Sequence, residues 1–214
     1  MKSPVADIRT DYRLTALSEQ DALANPVQQF EKWFNEALEV GVAEPNAMTL
    51  ATSTADGYPS ARIVLLKGFD KKGFYFYTNY ESRKARQIAD NPRGALVFFW
   101  RELERQVRIE GILEKTTPEQ NEAYYQRRPE GSRISAWASP QSSVIPDRAF
   151  LEQATAEVAA RFSQSPLRCP AFWGGYCLHP EAIEFWQGRA HRLHDRLRYT
   201  RQPSRRWKKE RLAP

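Results

Sequence analysis

The first 24 residues are polar and aperiodic, and a helical pattern begins at Asn25-Pro26. Asparagine suits an N-cap and proline the first helical position. Val27, Phe30, Phe34, Ala37 and Leu38 then recur at helical spacing, and Gly41 can close the helix. The pattern predicts a flexible arm over residues 1–24 and a single domain over residues 25–214. Strands follow. Met48–Ser53 and Ala61–Gly68 flank the turn-rich Ala55-Asp56-Gly57-Tyr58-Pro59, and Asp70-Lys71-Lys72-Gly73 turns the chain into Phe74–Thr78. A helix is expected from near Ser82 to just before Asn91-Pro92. Ala95–Trp100 and Gln106–Leu113 read as a hairpin pair around Arg101–Arg105.

Thr117-Pro118-Glu119-Gln120 has the form of a capping box with proline at the first helical position, so a helix should run to about Arg128. Ser132–Ala138 reads as a short helix, and Pro146-Asp147 opens a longer one to about Phe162. The chain returns to strands at Phe172–Leu178, Ala182–Trp186, Leu197–Arg201 and Trp207–Leu212. Short strands joined mostly by tight turns imply an antiparallel barrel or curled sheet with peripheral helices, α+β in class.

Composition adds limits. The chain has 214 residues, 41% hydrophobic and 27% charged, as in an ordinary globular protein. The longest strongly apolar run, Ala95–Trp100, is far short of the ~20 residues that span a bilayer. The N-terminus lacks the apolar core of a secretory signal. Cys169 and Cys177 show no CxxC spacing and read as reduced thiols of a cytoplasmic protein. The net charge of +6 is uneven: from Arg189 onward ten Lys/Arg face only Asp195 and Glu210, an excess of +8, leaving the rest at −2. A basic patch of this kind calls for an anionic partner: nucleic acid, membrane surface or phosphorylated small molecules.

Absent motifs narrow the chemistry. There is no GxGxxG, no Walker A loop and no GxSxG, and three histidines with two separated cysteines give poor support for zinc. Four segments carry candidate chemistry. In Arg62-Ile63-Val64-Leu65-Leu66-Lys67 the strand period puts Arg62, Val64 and Leu66 on one side and Ile63, Leu65 and Lys67 on the other. A cation at each end can serve two anions, although two solvated strand ends are the simpler reading of this segment alone. In Tyr77-Thr78-Asn79-Tyr80-Glu81-Ser82-Arg83-Lys84 a strand passes into a helix N-terminus. Cations there oppose the helix dipole, which favours a bound anion over an ordinary first turn. Tyr124 and Arg128 share a helix face, with Ser132 after a Pro/Gly break; together they suit a phosphate, although a basic helix end, which the dipole favours, is the simpler reading of this segment alone. In Trp186-Gln187-Gly188-Arg189-Ala190-His191-Arg192-Leu193-His194-Asp195-Arg196 an extended chain would point Arg192, His194 and Arg196 one way, as a site or a surface patch.

Taken together, RIVLLK, YTNYxSRK, QVRIEG, YYQRRPxxS, SAWASPQSS, FWQGxxHRLHDR and the terminal RLAP resemble the pyridoxine 5'-phosphate oxidases, in family order over nearly the whole chain. The resemblance implies an FMN-binding split β-barrel and a homodimer with two active sites at the subunit interface. It implies oxidation of pyridoxine 5'-phosphate and pyridoxamine 5'-phosphate to pyridoxal 5'-phosphate, with dioxygen reduced to hydrogen peroxide and ammonia released from the amine. Arg62, Ile63, Val64, Leu65, Leu66, Lys67, Tyr77, Thr78, Arg83, Lys84, Gln106, Gln141, Ser142, Trp186 and Arg196 would then contact FMN. Of these, Arg62, Arg83, Lys84 and Ser142 would lie at its phosphate and Gln106, Trp186 and Arg196 nearer the ring. Lys67, Tyr124, Arg128 and Ser132 would hold the substrate phosphate, and Arg192, Leu193 and His194 would frame the pyridine ring, with Arg192 and His194 in the catalytic role. Arg9 and Tyr12 would close over the substrate, although Thr10 stands where the family often has arginine. Arg189 is a second departure. The phosphorylated ligands assign no role to the tail from Arg201 to Arg211; one reading packs it against the acidic remainder of the dimer.

Two other functions compete. A nucleic-acid-binding barrel would use the basic tail and exposed aromatics. A split-barrel relative would use a flavin on another substrate, or store it.

Overall fold

The computed structural model describes Val5 and residues 11–214. Its helices are α1 (Pro26–Glu39), α2 (Arg83–Asp90), α3 (Pro118–Gln126), α4 (Glu130–Ala138) and α5 (Arg148–Arg161). Its strands are β1 (Ala47–Ser53), β2 (Pro59–Leu65), β3 (Gly68–Phe69), β4 (Phe74–Asn79), β5 (Arg93–Trp100), β6 (Arg105–Lys115), β7 (Trp173–Gln187), β8 (Asp195–Arg201) and β9 (Trp207–Arg211). The strands hydrogen-bond in the order β2-β1-β5-β6-β7-β4-β3, with β8 on β7 and β9 on β8. The α+β class expected from the hydrophobic pattern is the class observed.

Local chemistry sets the helix starts. Asn25 Oδ1 accepts from the Val27 amide, with Pro26 opening α1, and Gly41 follows the helix at φ 77°. Ser82 caps α2 through the Ala85 amide, Thr117 and Gln120 form the reciprocal capping box of α3, and Asp147 caps α5.

Two expectations about strands are corrected. The segments Phe172–Leu178 and Ala182–Trp186 are one strand, β7, of 15 residues. Its pairing with β4 ends at Leu178 and its pairing with β8 begins at Ala182. Pro180 therefore falls where the strand changes partners and its missing N–H removes no bond from either register. Arg192 to Arg196 is not extended throughout. Ala190–Arg192 forms a 3-10 turn, His191 and Arg192 have φ of 56° and 61°, and β8 begins only at Asp195.

The chain groups into two compact units, the first from residues 1–49, 96–110 and 180–214, the second from 50–95 and 111–179. The first unit has an aromatic core. Phe30 lies 5.1 Å from Phe98, Trp33 meets Phe185 edge-on at 5.2 Å, and Phe185 meets Tyr199 at 5.6 Å. Full burial of one such ring contributes roughly 1.5–3 kcal/mol. Its described N-terminal residues 11–24 form no helix or strand. In the second unit Leu50, Phe74, Phe76, Ile88, Tyr125, Tyr176 and Leu178 are buried.

Candidate functional site

Within the second unit, β2, the β4–α2 junction and the α3–α4 turn enclose a cavity of about 530 Å³. Ile63, Val64, Leu65 and Lys67 form one wall; Tyr77, Thr78 and Lys84 a second; Tyr124, Arg127, Arg128, Pro129, Ser132, Gln141 and Trp173 the rest. Three distant segments singled out from the sequence therefore meet. The predicted alternation of β2 holds. Ile63 and Leu65 are exposed, whereas Leu66 is buried in the core and does not line the cavity.

The cavity has four cationic linings, Lys67, Lys84, Arg127 and Arg128, and no carboxylate. Lys84 Nζ donates to Gln141 Oε1 at 2.9 Å, Thr78 Oγ1 at 3.1 Å and Ser82 Oγ at 3.3 Å, all neutral. Thr78 also donates to Gln141, at 2.9 Å. Burial, with a smaller push from Arg62, lowers the Lys84 ammonium to about 8. Burial likewise lowers Arg128. Its guanidinium lies 4.6 Å over the Trp173 ring, and its Nη1 is buried without a hydrogen-bond partner. A buried donor left unmade costs ~1–3 kcal/mol or more when charged, so an acceptor belongs there. Ser132 sits in the first turn of α4, whose free N–H groups add to the same positive field.

Sequence reasoning missed Trp173 and Arg127. Tyr77 stacks on Tyr124 at 3.9 Å, and Trp173 lies nearly parallel to both, at 5.5 Å and 6.2 Å. The Trp173 end of β7 is fixed by buried polar contacts. The Gly175 amide donates to Asn121 Oδ1 at 2.9 Å and Thr116 Oγ1 at 3.1 Å, and Tyr80 donates to the Gly175 carbonyl at 3.0 Å.

Three residues expected at a phosphate lie outside the lining. The Arg62 guanidinium donates to Leu50 O at 3.0 Å, Thr52 Oγ1 at 2.7 Å and Ser60 Oγ at 2.5 Å, so it braces β1 against β2. Arg83 is exposed on the first turn of α2. Ser142 is exposed, at φ 73°.

The remaining predicted residues belong to the first unit. His194 lies 4.6 Å from Trp186, and Tyr12 packs against both, at 6.0 Å and 5.7 Å. The Arg189 amide donates to His194 Nδ1 at 3.1 Å, which leaves Nε2 to carry the proton of the neutral ring. Burial first, then Arg192, lowers the His194 pKa. Arg192 and Leu193 are exposed on the left-handed turn, a conformation disfavoured for non-glycine residues. Arg196 forms a two-point ion pair with the buried Glu184, at 2.9 Å and 3.2 Å. Gln106 is half-buried on β6. Arg9 lies outside the described residues.

Comparison with known proteins decides the family. Residues 34–162 match the family described as pyridoxamine 5'-phosphate oxidase, and residues 173–214 the pyridoxine 5'-phosphate oxidase C-terminal dimerisation region. A pyridoxine/pyridoxamine 5'-phosphate oxidase of Pseudomonas paraeruginosa is 56% identical over 216 aligned positions, covering 100% of both chains. One of Burkholderia mallei is 57% identical, covering 98% of this chain and 99% of its own. The chain belongs to the pyridoxine/pyridoxamine 5'-phosphate oxidase family. PhzG from Burkholderia lata 383, solved with tetrahydrophenazine-1-carboxylic acid, superposes at a TM-score of 0.89 with 31% identity, covering 96% of this chain and 100% of its own. A pyridoxamine 5'-phosphate oxidase-related, FMN-binding protein from Nostoc punctiforme shares the fold at a TM-score of 0.69 and 20% identity, covering 89% and 98% of the two chains. The split-barrel fold expected from the motifs is thus the fold of this oxidase family.

Proposed function

We propose that this family member uses FMN and dioxygen to oxidise pyridoxine 5'-phosphate and pyridoxamine 5'-phosphate to pyridoxal 5'-phosphate, releasing hydrogen peroxide and, from the amine, ammonia. The observation that carries this reading is the cavity with four cations and no carboxylate, one of them an arginine with an unpartnered buried Nη1. Two phosphorylated ligands supply what it lacks. The residues fit FMN. Lys84, whose three donors meet only the neutral acceptors Thr78, Ser82 and Gln141, gives its phosphate end a cation with no counter-ion among them. Arg128, Lys67, Tyr124 and Ser132 hold the substrate phosphate. FMN supplies the redox chemistry, taking two electrons from the substrate and giving them to dioxygen.

The protein binds and orients. Arg192 positions the reacting C4' and stabilises charge there, and His194 Nε2–H donates to the ring substituents. Tyr12 covers the bound substrate. The dimerisation-region match supports a homodimer, and the family resemblance puts two active sites at its subunit interface. Gln106, Trp186 and Arg196 would lie nearer the flavin ring, and Arg192 and His194 would frame the pyridine ring. The free thiols of Cys169 and Cys177 suit a cytoplasmic enzyme.

The test is an anaerobic visible spectrum before and after pyridoxine 5'-phosphate. Bleaching of a flavin band, restored by air, is expected. A flavin band unmoved by either phosphorylated substrate, yet bleached by tetrahydrophenazine-1-carboxylic acid, the compound bound in PhzG, would overturn the assigned substrates.

A further inference from the structure

We propose that the basic C-terminal strand is a clasp for the N-terminal arm and sets Tyr12 over Trp186 and His194. The proposal rests on the reading of Trp186 and His194 as part of the active site. It gives a role to the tail and to Arg189, which the phosphorylated ligands leave without one.

Residues 11–24 form no helix or strand, and the backbone bond within them, from the Ala22 amide to Ser18 O at 3.1 Å, shapes only a local turn. Side chains from the far end of the chain take their polar groups one after another. Arg189 Nη1 donates to Thr15 O at 3.0 Å. The Leu17 amide donates to Asp195 Oδ2 at 3.1 Å, and Arg211 Nη2 donates to Leu17 O at 3.0 Å. Arg211 also grips Glu19 at two points, 2.7 Å and 2.8 Å, and steadies Asp195 at 2.8 Å. Lys209 Nζ donates to Glu19 O at 2.6 Å and Ala22 O at 2.9 Å, and Tyr199 Oη donates to Leu23 O at 2.7 Å.

Lys209 and Arg211 are two apart on β9, so both project from one face of that strand. Three of their six acceptor oxygens are backbone carbonyls, the groups that an irregular segment leaves unpaired. An exposed ion pair alone adds little stability, but several such bonds along one short stretch restrict where the arm can lie. Arg189 links the two ends of this arrangement. Its amide orients His194, and its guanidinium holds the arm three residues beyond Tyr12.

The experiment uses the full-length, FMN-loaded protein with Arg211→Gln, with Glu19→Gln, and with both together. Trypsin cleavage after the exposed Arg13, read by fragment mass, reports release of the arm. KM and kcat for pyridoxine 5'-phosphate report Tyr12. Each single variant should speed cleavage on the order of tenfold, as expected when a local opening equilibrium loosens. KM should rise several-fold, with kcat and FMN affinity little changed. The double variant should match Arg211→Gln alone, because the Glu19 carboxylate acts through Arg211. If Arg211→Gln does not fold, Glu19→Gln at an exposed position makes the same test. Unchanged cleavage, or a double variant whose two effects multiply, overturns the clasp. Faster cleavage with an unchanged KM overturns its link to Tyr12. Faster cleavage in a protein that never turns over pyridoxine 5'-phosphate keeps the clasp and sinks the assigned substrate.

Discussion

The backbone amide of Arg189 donates to Nδ1 of His194 at 3.1 Å. Protonation of Nδ1 would set two N–H groups against each other, so the contact holds only for the neutral ring. Burial and Arg192 act in the same direction, lowering the His194 pKa from 6.5. Activity should therefore be level above pH 6.5 and fall as acid protonates the ring below that value. A kcat/KM profile from pH 5 to 8 checks this, and His194→Asn should flatten the acid limb. A limb unchanged in that variant would assign the ionisation elsewhere.

Lys84 is the cation whose charge is least secure. Its ammonium is lowered to about 8, first by burial and then by Arg62. A bound phosphate favours the charged form, so FMN affinity should decline as pH rises through about 8. The apoprotein gives the opposite trend. Between about 8 and the ordinary lysine value of 10.5 the unfolded chain binds more protons at this site than the folded one, so this group's contribution to stability rises with pH. Lys84→Gln should weaken FMN on the order of tenfold or more and remove the alkaline decline in affinity. Fluorescence titration of FMN at several pH values measures both.

Arg128 should separate substrate binding from chemistry. Its unpartnered Nη1 and its stacking over Trp173 make two demands that only a planar guanidinium meets. Arg128→Lys should raise KM for pyridoxine 5'-phosphate by roughly 10- to 100-fold, the equivalent of losing a charge-assisted hydrogen bond. FMN affinity should stay near the parent value. An equal loss in FMN affinity would move Arg128 to the cofactor.

These contrasts show which physical signals a sequence carries. The caps at Asn25 and Thr117 depend on atoms a few residues apart, and the local sequence reveals them. Of the cavity walls, Tyr77–Lys84 is favoured by its own chemistry, cations at a helix N-terminus; Ile63–Lys67 and Tyr124–Ser132 alone read more simply as a solvated strand and a basic helix end, and only the family resemblance singles them out. Trp173 is singled out by neither. It reads as an ordinary strand aromatic, and only Tyr77 and Tyr124, brought from other elements, make it a wall of the site. The left-handed His191 and Arg192 carry no glycine to announce them, so period-two spacing suggested an extended run that the backbone does not adopt. The tail was opaque for a further reason. Arg211 meets Glu19 across a sequence separation of 192 residues, and no local pattern encodes such a pairing.

Two glycines should respond oppositely to alanine. A Cβ on Gly175 would stand 2.5 Å from Thr116 Oγ1 and 2.8 Å from Tyr77 Cε1, both packed in the second unit. Overpacking of this kind costs roughly 1–3 kcal/mol, so Gly175→Ala should lower the melting temperature. A Cβ on Gly188 would stand 2.7–2.9 Å from Tyr12 Cγ, Cβ and Cδ2, atoms carried by the N-terminal arm. The arm can move aside while the core stays packed. Gly188→Ala should therefore melt near the parent temperature and bind FMN normally, yet raise KM for the phosphorylated substrate several-fold by displacing Tyr12. Tyr12→Ala should raise KM similarly, and Gly188→Ala added to it should have no further effect, because the side chain it collides with is gone. A double variant worse than Tyr12→Ala alone would show that Gly188 acts through the turn at Arg189 rather than through Tyr12.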